Sequence, residues 1–255
     1  MHKREGTRNK EGHSPYRLFL GMSVAVICVM LLFTGIGVVS AASSPTATIT
    51  YDGTKILISG GTANLTTINE TLNDPNLLEQ LSPKEWLLKV PIQVSGAIFY
   101  INDTDCDWLK LQSLNDGNDV YIKGGTIEIN NTKITSWNTT ASSVQTSTYK
   151  RAGIFTEGGR INITNSNISY LGAESNSFSA LATSGYGIVY QKADSYSIIS
   201  NSTFKNVFAV RIYSSDNKVI RDSRFVNFGG DTKEECGGVT CFRSKNIIIK
   251  DNTFT

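Results

Sequence analysis

The chain has 255 residues, with 24 Lys and Arg against 22 Asp and Glu, and a formal net charge of +2 at pH 7. Five basic and two acidic residues lie in residues 1–41, so the rest of the chain carries 19 basic and 20 acidic side chains and is nearly neutral. Proteins that recognise nucleic acid carry a strong basic excess, so the composition predicts no nucleic-acid partner.

A basic segment precedes an uncharged, apolar run at residues 18–39. This order, followed by the small residues Ser40 and Ala41, is typical of a secretory signal with a cleavage site. The run has 22 residues, enough to span a bilayer, so an uncleaved anchor remains open. In both cases we expect residues 1–42 to be a signal peptide or membrane anchor. The remainder is then extracytoplasmic, either secreted or anchored to the cell surface.

The region 43–95 predicts two strands and a helix. Apolar and polar residues alternate over 46–59, as in strands, and Leu65, Ile68 and Leu72 follow at helical spacing. We expect this short helix to cap the open end of the fold that follows, because it would cover an apolar cross-section and unpaired strand edges.

One phrase recurs through the region 96–255: Ile, then Asn or Asp two residues later, then an apolar residue five after the Ile. The Ile positions are Ile129, Ile163, Ile199, Ile220 and Ile249. The Asn or Asp positions are Asn131, Asn165, Asn201, Asp222 and Asp251. The apolar positions are Ile134, Ile168, Phe204, Phe225 and Phe254. Such a repeat indicates a solenoid in which like residues stack on like.

The repeat predicts an all-β fold, a right-handed single-stranded parallel β-helix with the short N-terminal capping helix. Asn and Asp suit the corner of each coil because they tolerate the left-handed backbone conformation. The alternative is an antiparallel sandwich, but sandwiches seldom repeat a strand-corner-strand phrase in register. The sequence stops at Thr255, one residue past a repeat, so we expect either a truncated product or another element that covers that face.

A second apolar strand precedes each phrase, centred on Val120, Ile154, Ile188, Val210 and Val239, at spacings of 34, 34, 22 and 29 residues. The excess over a bare coil lies in 136–151, 169–185 and 228–237, which all leave the same corner. We expect these loops to form a wall beside the outward side chains of the strand. A groove between a loop wall and a flat sheet would hold an extended polysaccharide.

Strand alternation predicts which side chains face that groove. One outward column contains Tyr121, Phe155, Val189, Arg211 and Thr240. The next contains Lys123, Glu157, Gln191, Tyr213 and Phe242.

The cysteines and histidines limit the metal chemistry. Cys236 and Cys241 are close enough in sequence to predict a local disulfide in an exported protein. Both histidines lie in residues 1–41, and the remaining thiols are too few and too scattered for a zinc site. The sequence therefore predicts no metal and no cofactor.

Four parts of the sequence carry a family resemblance. They are the Leu-rich helix, W-L-L at Trp86, D-W-L-K-L at Asp107 and, most specifically, residues 120–172. The chain resembles the right-handed parallel β-helix proteins related to mannuronan C5-epimerases, of the exported archaeal and bacterial type. It is similar, more loosely, to β-helix proteins of nitrous-oxide-reductase maturation. The resemblance covers about residues 46–255 and implies a carbohydrate-active protein that recognises an anionic, uronic-acid polysaccharide.

The resemblance fails at the catalytic motif. Epimerases of the family carry Asp-Pro-His-Asp, which aligns here with Thr240-Cys241-Phe242-Arg243 and matches at none of the four positions. C5 epimerisation needs a base, an acid on the opposite face and a group that neutralises the carboxylate. Without histidine, the catalytic candidates are Arg211, Tyr213, Tyr186 and Lys192. The predicted substrate-binding residues are Tyr121, Phe155, Arg211 and Tyr213.

Three functions remain open on the sequence. The first is a β-helix protein that binds an anionic polysaccharide without catalysis. The second is an active polysaccharide C5-epimerase or lyase that uses Arg211, Tyr213 and their neighbours. The third is a non-catalytic structural protein of the cell surface, in which the outward columns are only a solvated face.

The N-terminal segment generates a testable prediction. Deleting residues 1–41 should leave a soluble protein that stays in the cytoplasm, because the apolar run is then no longer available for export. Cell fractionation with an antibody against the β-helix region measures the outcome. A full-length protein found soluble in the cytoplasm would contradict the targeting argument.

Overall fold

The described chain winds into successive coils, each of which adds short strands to the faces of one elongated stack. The computed structural model describes residues 45–115, 120–173, 186–228 and 238–255. The apolar run at 18–39 lies outside these ranges, as does the rest of the predicted signal or anchor. Within the described ranges, no helix is long and apolar enough to cross a membrane.

Three faces make up the stack. The first face contains β2 (Ile56–Ser59), the first half of β6 (Ile92–Asn102), the first half of β8 (Tyr121–Asn130), β11 (Gly153–Glu157), β14 (Ile188–Gln191), β17 (Val210–Tyr213) and β20 (Val239–Phe242). The second contains β3 (Thr62–Ala63), the second halves of β6 and β8, β12 (Arg160–Thr164), β15 (Ser197–Ser200), β18 (Lys218–Arg221) and β21 (Ile247–Lys250). The third contains β4 (Leu78–Ser82), β5 (Glu85–Leu88), β7 (Trp108–Gln112), β9 (Lys133–Asn138), β13 (Asn167–Ser169), β16 (Thr203–Lys205), β19 (Arg224–Val226) and β22 (Thr253–Phe254).

Pairing between coils is parallel on all three faces, which confirms the parallel β-helix. The antiparallel pairs are peripheral: β1 (Thr48–Tyr51) with β2, β4 with β5, and β10 (Ser143–Val144) with β9. The predicted helix is α1 (Leu65–Leu72), whose Leu65 and Ile68 are buried in the main apolar core. Asn64 begins it, because its side chain accepts a hydrogen bond from the Thr67 backbone N–H at 2.8 Å. Parallel stacking starts at β2, within the region 43–95.

The five repeat isoleucines stack as predicted. Ile163 lies opposite both Ile129 and Ile199, and Ile220 lies opposite both Ile199 and Ile249. The first four side chains are no more than 1% exposed. On the third face the rings of Phe204 and Phe225 are parallel, with centroids 4.8 Å apart, and Phe225 stacks on Phe254 at 4.9 Å. These ladders form the interior of the coil.

The corner between the second and third faces has a left-handed residue in each repeat. The φ angles are 51° at Asn131, 52° at Asn165, 49° at Asn201, 52° at Asp222 and 55° at Asp251.

The residue after each corner helps to satisfy the hydrogen-bonding groups of the buried backbone. The backbone N–H of Ser166 donates to the Ser202 hydroxyl at 3.2 Å, and that of Ser202 donates to the Ser223 hydroxyl at 3.2 Å. The phrase therefore encodes both the turn and the hydrogen bonds that satisfy it.

One inward position of the second face carries a lysine. Lys218 is 1% exposed, and its ammonium donates to the carbonyls of Ser195 at 2.7 Å, Asp216 at 2.6 Å and Ala193. Burial lowers the pKa of Lys218 to about 8, and the charges of Asp194 and Asp216 oppose that shift. The three carbonyl acceptors explain how the β-helix holds a cation at a buried, inward position.

The Ile ladder predicts a large effect of one substitution. Ile199→Asp should lower the free energy of unfolding by roughly 4 kcal/mol or more, because it places an unpaired carboxylate inside the coil. The control is Ile198→Asp on the same strand, whose side chain faces outward and should change stability by less than about 1 kcal/mol. Urea unfolding followed by circular dichroism measures both. Equal losses in the two variants would contradict the assignment of faces.

Lys218 predicts a pH dependence. Its folded pKa of about 8 lies below the ordinary value of 10.5, so the folded state loses this proton first as the pH rises. Above about pH 10.5, Lys218 is neutral in both the folded and the unfolded state, and its burial costs no electrostatic free energy. As the pH falls through about 8, Lys218 becomes charged in the folded state as well, and this advantage in stability is lost. The free energy of unfolding of the wild type minus that of Lys218→Met should rise by roughly 2 kcal/mol between those limits. A difference that stays constant with pH would show that the carbonyl acceptors fully offset burial.

Candidate functional site

The strand register on the first face corrects one expectation. Ile154 lies opposite Ile122, not Val120, so Phe155 is beside Lys123 and Tyr121 is beside Gly153. Val120 and Ile122 are both buried and two residues apart, so either one fits the inward apolar pattern. A shift of two residues leaves each outward side chain outward, because the side-chain period of a strand is two.

Arg211 on β17 lies between two tyrosine rings. Its Cζ is 4.4 Å from the ring centroid of Tyr186 and 5.2 Å from that of Tyr213, distances typical of cation–π contact. Burial lowers the pKa of the guanidinium, which nevertheless stays protonated at neutral pH. No carboxylate of the described residues lies within ion-pair distance of it. The structure thus brings three of the four catalytic candidates together around a cation without a counter-ion.

A second apolar cluster supports Arg211 from the outside of the first face. Its buried members are Phe155, Tyr186, Val189, Phe208 and Ala209, with the partly buried Tyr121 packed against them. Phe155 is 4% and Tyr186 6% exposed, so these rings present little surface to a ligand. Tyr213 remains partly exposed and stacks on Phe242, which is 52% exposed, with ring centroids 5.5 Å apart. The accessible aromatic surface beside Arg211 therefore belongs to Tyr213 and Phe242.

Lys192, the fourth catalytic candidate, makes its ionic contact at the corner between the first and second faces. Its Nζ is 3.9 Å from Glu157 Oε1, and Lys123 Nζ is 3.7 Å from Glu157 Oε2. One carboxylate thus bridges two ammonium groups. The contact orients the Lys192 side chain toward this corner, while its backbone N–H donates to the Tyr213 carbonyl oxygen at 3.1 Å.

A groove of about 830 Å³ lies at the same corner. Its polar lining comes from Gln93, Ser95, Lys123, Thr126, Glu157, Arg160 and Ser195. Glycines let the coils approach there: a Cβ on Gly159 would lie 1.9 Å from the Gly125 carbonyl oxygen.

A carboxylate network on the second face borders the groove. Arg160 Nη2 donates to Glu128 Oε1 at 2.6 Å, and Asn162 Nδ2 donates to both Glu128 oxygens, at 3.1 and 2.9 Å. Gln93 and Arg160 line the groove and Glu128 borders it, and the repeat pattern predicts none of the three as site residues. The available signal was the Gly-Gly doublet at 124–125, which recurs at 158–159.

The loop prediction is confirmed in its connectivity. Each of the three long segments joins a third-face strand to the next first-face strand, namely β9 to β11, β13 to β14 and β19 to β20. Residues 174–185 and 229–237 lie outside the described ranges, so the greater part of the second and third segments of the predicted wall does too. Tyr186, which follows the second segment, packs edge-to-face on Phe208 with centroids 5.8 Å apart.

The predicted disulfide stays a prediction, because Cys236 lies outside the described residues. Cys241 is exposed, although its position on β20 lies opposite the buried, inward-facing Ile212 of β17. Cys106 is fully buried, and burial raises the pKa of its thiol to about 12, so it is an inert core residue. Among the described residues, no group of three or more His, Cys, Asp or Glu is placed to hold a metal ion.

No protein-family model matches the sequence, and no curated protein matches it. Solved structures do match. A double mutant of the periplasmic alginate epimerase AlgG aligns with 19% identity over 78% of this chain and 47% of that one, at a TM-score of 0.63. A single mutant aligns with 20% identity over the same shares, also at 0.63. This chain shares the β-helix fold of AlgG. The likeness at this identity concerns the fold, and the chain spans about half the length of those structures.

Proposed function

We propose that the chain is an exported, carbohydrate-active β-helix protein that binds an anionic, uronic-acid polysaccharide along its first face. The observation that carries the proposal is the half-buried Arg211, which lies between Tyr186 and Tyr213 and has no carboxylate partner among the described residues. A desolvated cation without a counter-ion is costly unless a ligand supplies the anion.

The chemistry of this group fits a uronate. The planar guanidinium forms two parallel hydrogen bonds to a carboxylate, and the adjacent rings of Tyr213 and Phe242 offer an apolar surface to the C–H face of a sugar. Lys123 stands in the same outward column three strands away, which is about 14 Å at the usual strand spacing. A polymer with a carboxylate on every sugar could contact both cations at once.

The comparison supports the ligand class and the compartment. The matching structures are of a periplasmic alginate epimerase, and alginate is a polymer of uronic acids. The predicted export segment would place this chain outside the cytoplasm.

Binding without catalysis is the form of the proposal that the geometry favours. Epimerisation requires an acid and a base on opposite sides of the sugar. The phenol of Tyr213 is the one accessible candidate beside Arg211 in the described chain, since Tyr186 is 6% exposed and Lys192 contacts Glu157. Incubation with uronic-acid polymers in deuterated water, read at C5 by NMR, tests for the epimerase or lyase. Deuterium at C5, or the C4–C5 double bond that a lyase leaves in its product, would overturn the binding-only proposal.

The Arg211 site predicts a selective loss of affinity. Arg211→Ala should weaken binding of uronic-acid polymers by about 1–3 kcal/mol, because it removes a charge-assisted pair, and leave neutral polymers and folding unchanged. Arg211→Lys should recover only part of the affinity, since an ammonium cannot form the two-point contact. Isothermal titration calorimetry with a defined uronic-acid oligomer measures the change.

The matched control is Arg224→Ala, which removes an exposed outward arginine from the third face. It should bind uronic-acid oligomers like the wild type. Unchanged affinity in Arg211→Ala, or an equal loss in Arg224→Ala, would refute Arg211 as the binding group. The structural surface protein would then be the better account.

A further inference from the structure

The third face carries a separate cluster of tryptophans and lysines on its outer side. Glu85, Trp108 and Lys133 lie opposite one another on β5, β7 and β9, in one outward column. Lys110 is the next outward residue after Trp108 on β7, and Trp137 lies two outward positions beyond Lys133 on β9. We refer to these five residues as the Trp–Lys cluster. It lies on a different face from Arg211.

Lys110 is the centre of the Trp–Lys cluster. Its Nζ lies 3.8 Å from the ring centroid of Trp137 and 4.2 Å from that of Trp108, and it forms an ion pair with Glu85. The two indoles meet edge-to-face, with centroids 5.5 Å apart and planes at 89°. Lys110 is only 6% exposed. The arrangement thus fixes both indole rings around one neutralised cation.

Lys133 is a second cation with no carboxylate of its own. Its Nζ lies 3.6 Å from the Trp108 ring centroid, and no described carboxylate is within ion-pair distance of it. Burial and the nearby Lys110 charge lower the pKa of Lys133, while Glu85 opposes this. The cluster therefore has two ammonium groups and one carboxylate, and a second anion would relieve the repulsion.

We propose that the Trp–Lys cluster is a second binding site for a carboxylated sugar, with Lys133 binding the carboxylate and the partly exposed Trp108 and Trp137 contacting the apolar face of the ring. The ligand class rests on the proposed function, but no residue is shared with the Arg211 site. Indole rings beside a lone ammonium favour a ligand that is both anionic and partly apolar. A bare phosphate would gain nothing from the rings.

Tryptophan fluorescence separates the two sites. The chain has three tryptophans, and Trp86 is 1% exposed, so a ligand-dependent change reports on Trp108 and Trp137. The Arg211 site contains tyrosines and a phenylalanine, so binding there alone leaves the signal unchanged. A short uronic-acid oligomer should change the emission of the wild type and of Arg211→Ala alike.

The variants test the role of the charge. Lys133→Gln should raise the dissociation constant from fluorescence at least fivefold, whereas Lys205→Gln, which removes an exposed lysine of the same face, should leave it unchanged. Trp137→Phe should reduce the amplitude and keep a measurable affinity. Thermal unfolding of each variant checks that the fold is retained.

The outcomes distinguish this site from the proposed function. Calorimetric binding that depends on Arg211 without any tryptophan response would overturn the second site and leave the proposed function standing. A tryptophan response that survives Arg211→Ala and weakens in Lys133→Gln supports the second site, whatever the fate of Arg211. Equal effects of Lys133→Gln and Lys205→Gln would overturn it. So would a response to anionic phospholipid vesicles and none to the oligomer, because the ligand would then be a membrane surface.

Discussion

Coil-on-coil stacking of the inward isoleucines is the constraint on which the rest of this structure depends. Ile129, Ile163, Ile199 and Ile220 pair in register and are all but fully buried. Because side chains alternate along a strand, fixing one inward column fixes every outward one. Any slip by one residue would turn the apolar set to solvent, so the ladder determines the surface as firmly as it determines the core.

The ladder is sustained by polar groups at the corners. Left-handed Asn and Asp residues turn the chain, and serine hydroxyls then accept hydrogen bonds from backbone N–H groups of the preceding coil. Lys218 satisfies backbone groups at the corner between the first and second faces, where its ammonium donates to three carbonyl oxygens. Buried backbone groups must be paired, and these serines and Lys218 supply partners for them.

The faces of the outer surface differ in how their charged and aromatic side chains are arranged. On the first face an apolar cluster desolvates Arg211. On the third face two indoles surround Lys110, while no carboxylate of the described residues pairs with Lys133. Both arrangements leave a cation beside a rigid ring, the combination that suits an acidic sugar. At the corner groove, by contrast, Glu157 bridges Lys123 and Lys192, and Glu128 accepts from Arg160 and Asn162, so the charges there largely satisfy one another.

The sequence by itself determined the β-helix, the two apolar ladders, the left-handed corners and the capping helix. Each of these depends on local periodicity or on the conformational tolerance of a single residue. It also placed Arg211 and Tyr213 outward, since their parity follows from buried neighbours. The register between coils of unequal length was decided only by the tertiary structure. Ile154 pairs with Ile122 and not with Val120, and the sequence pattern cannot distinguish the two because both positions face inward. The tertiary structure also decided three side-chain arrangements. These are the burial of Phe155 and Tyr186, the contact of Lys192 with Glu157, and the cluster of Trp108, Lys110, Lys133 and Trp137. These contacts join residues from different coils, and their geometry depends on side-chain packing that no single repeat encodes.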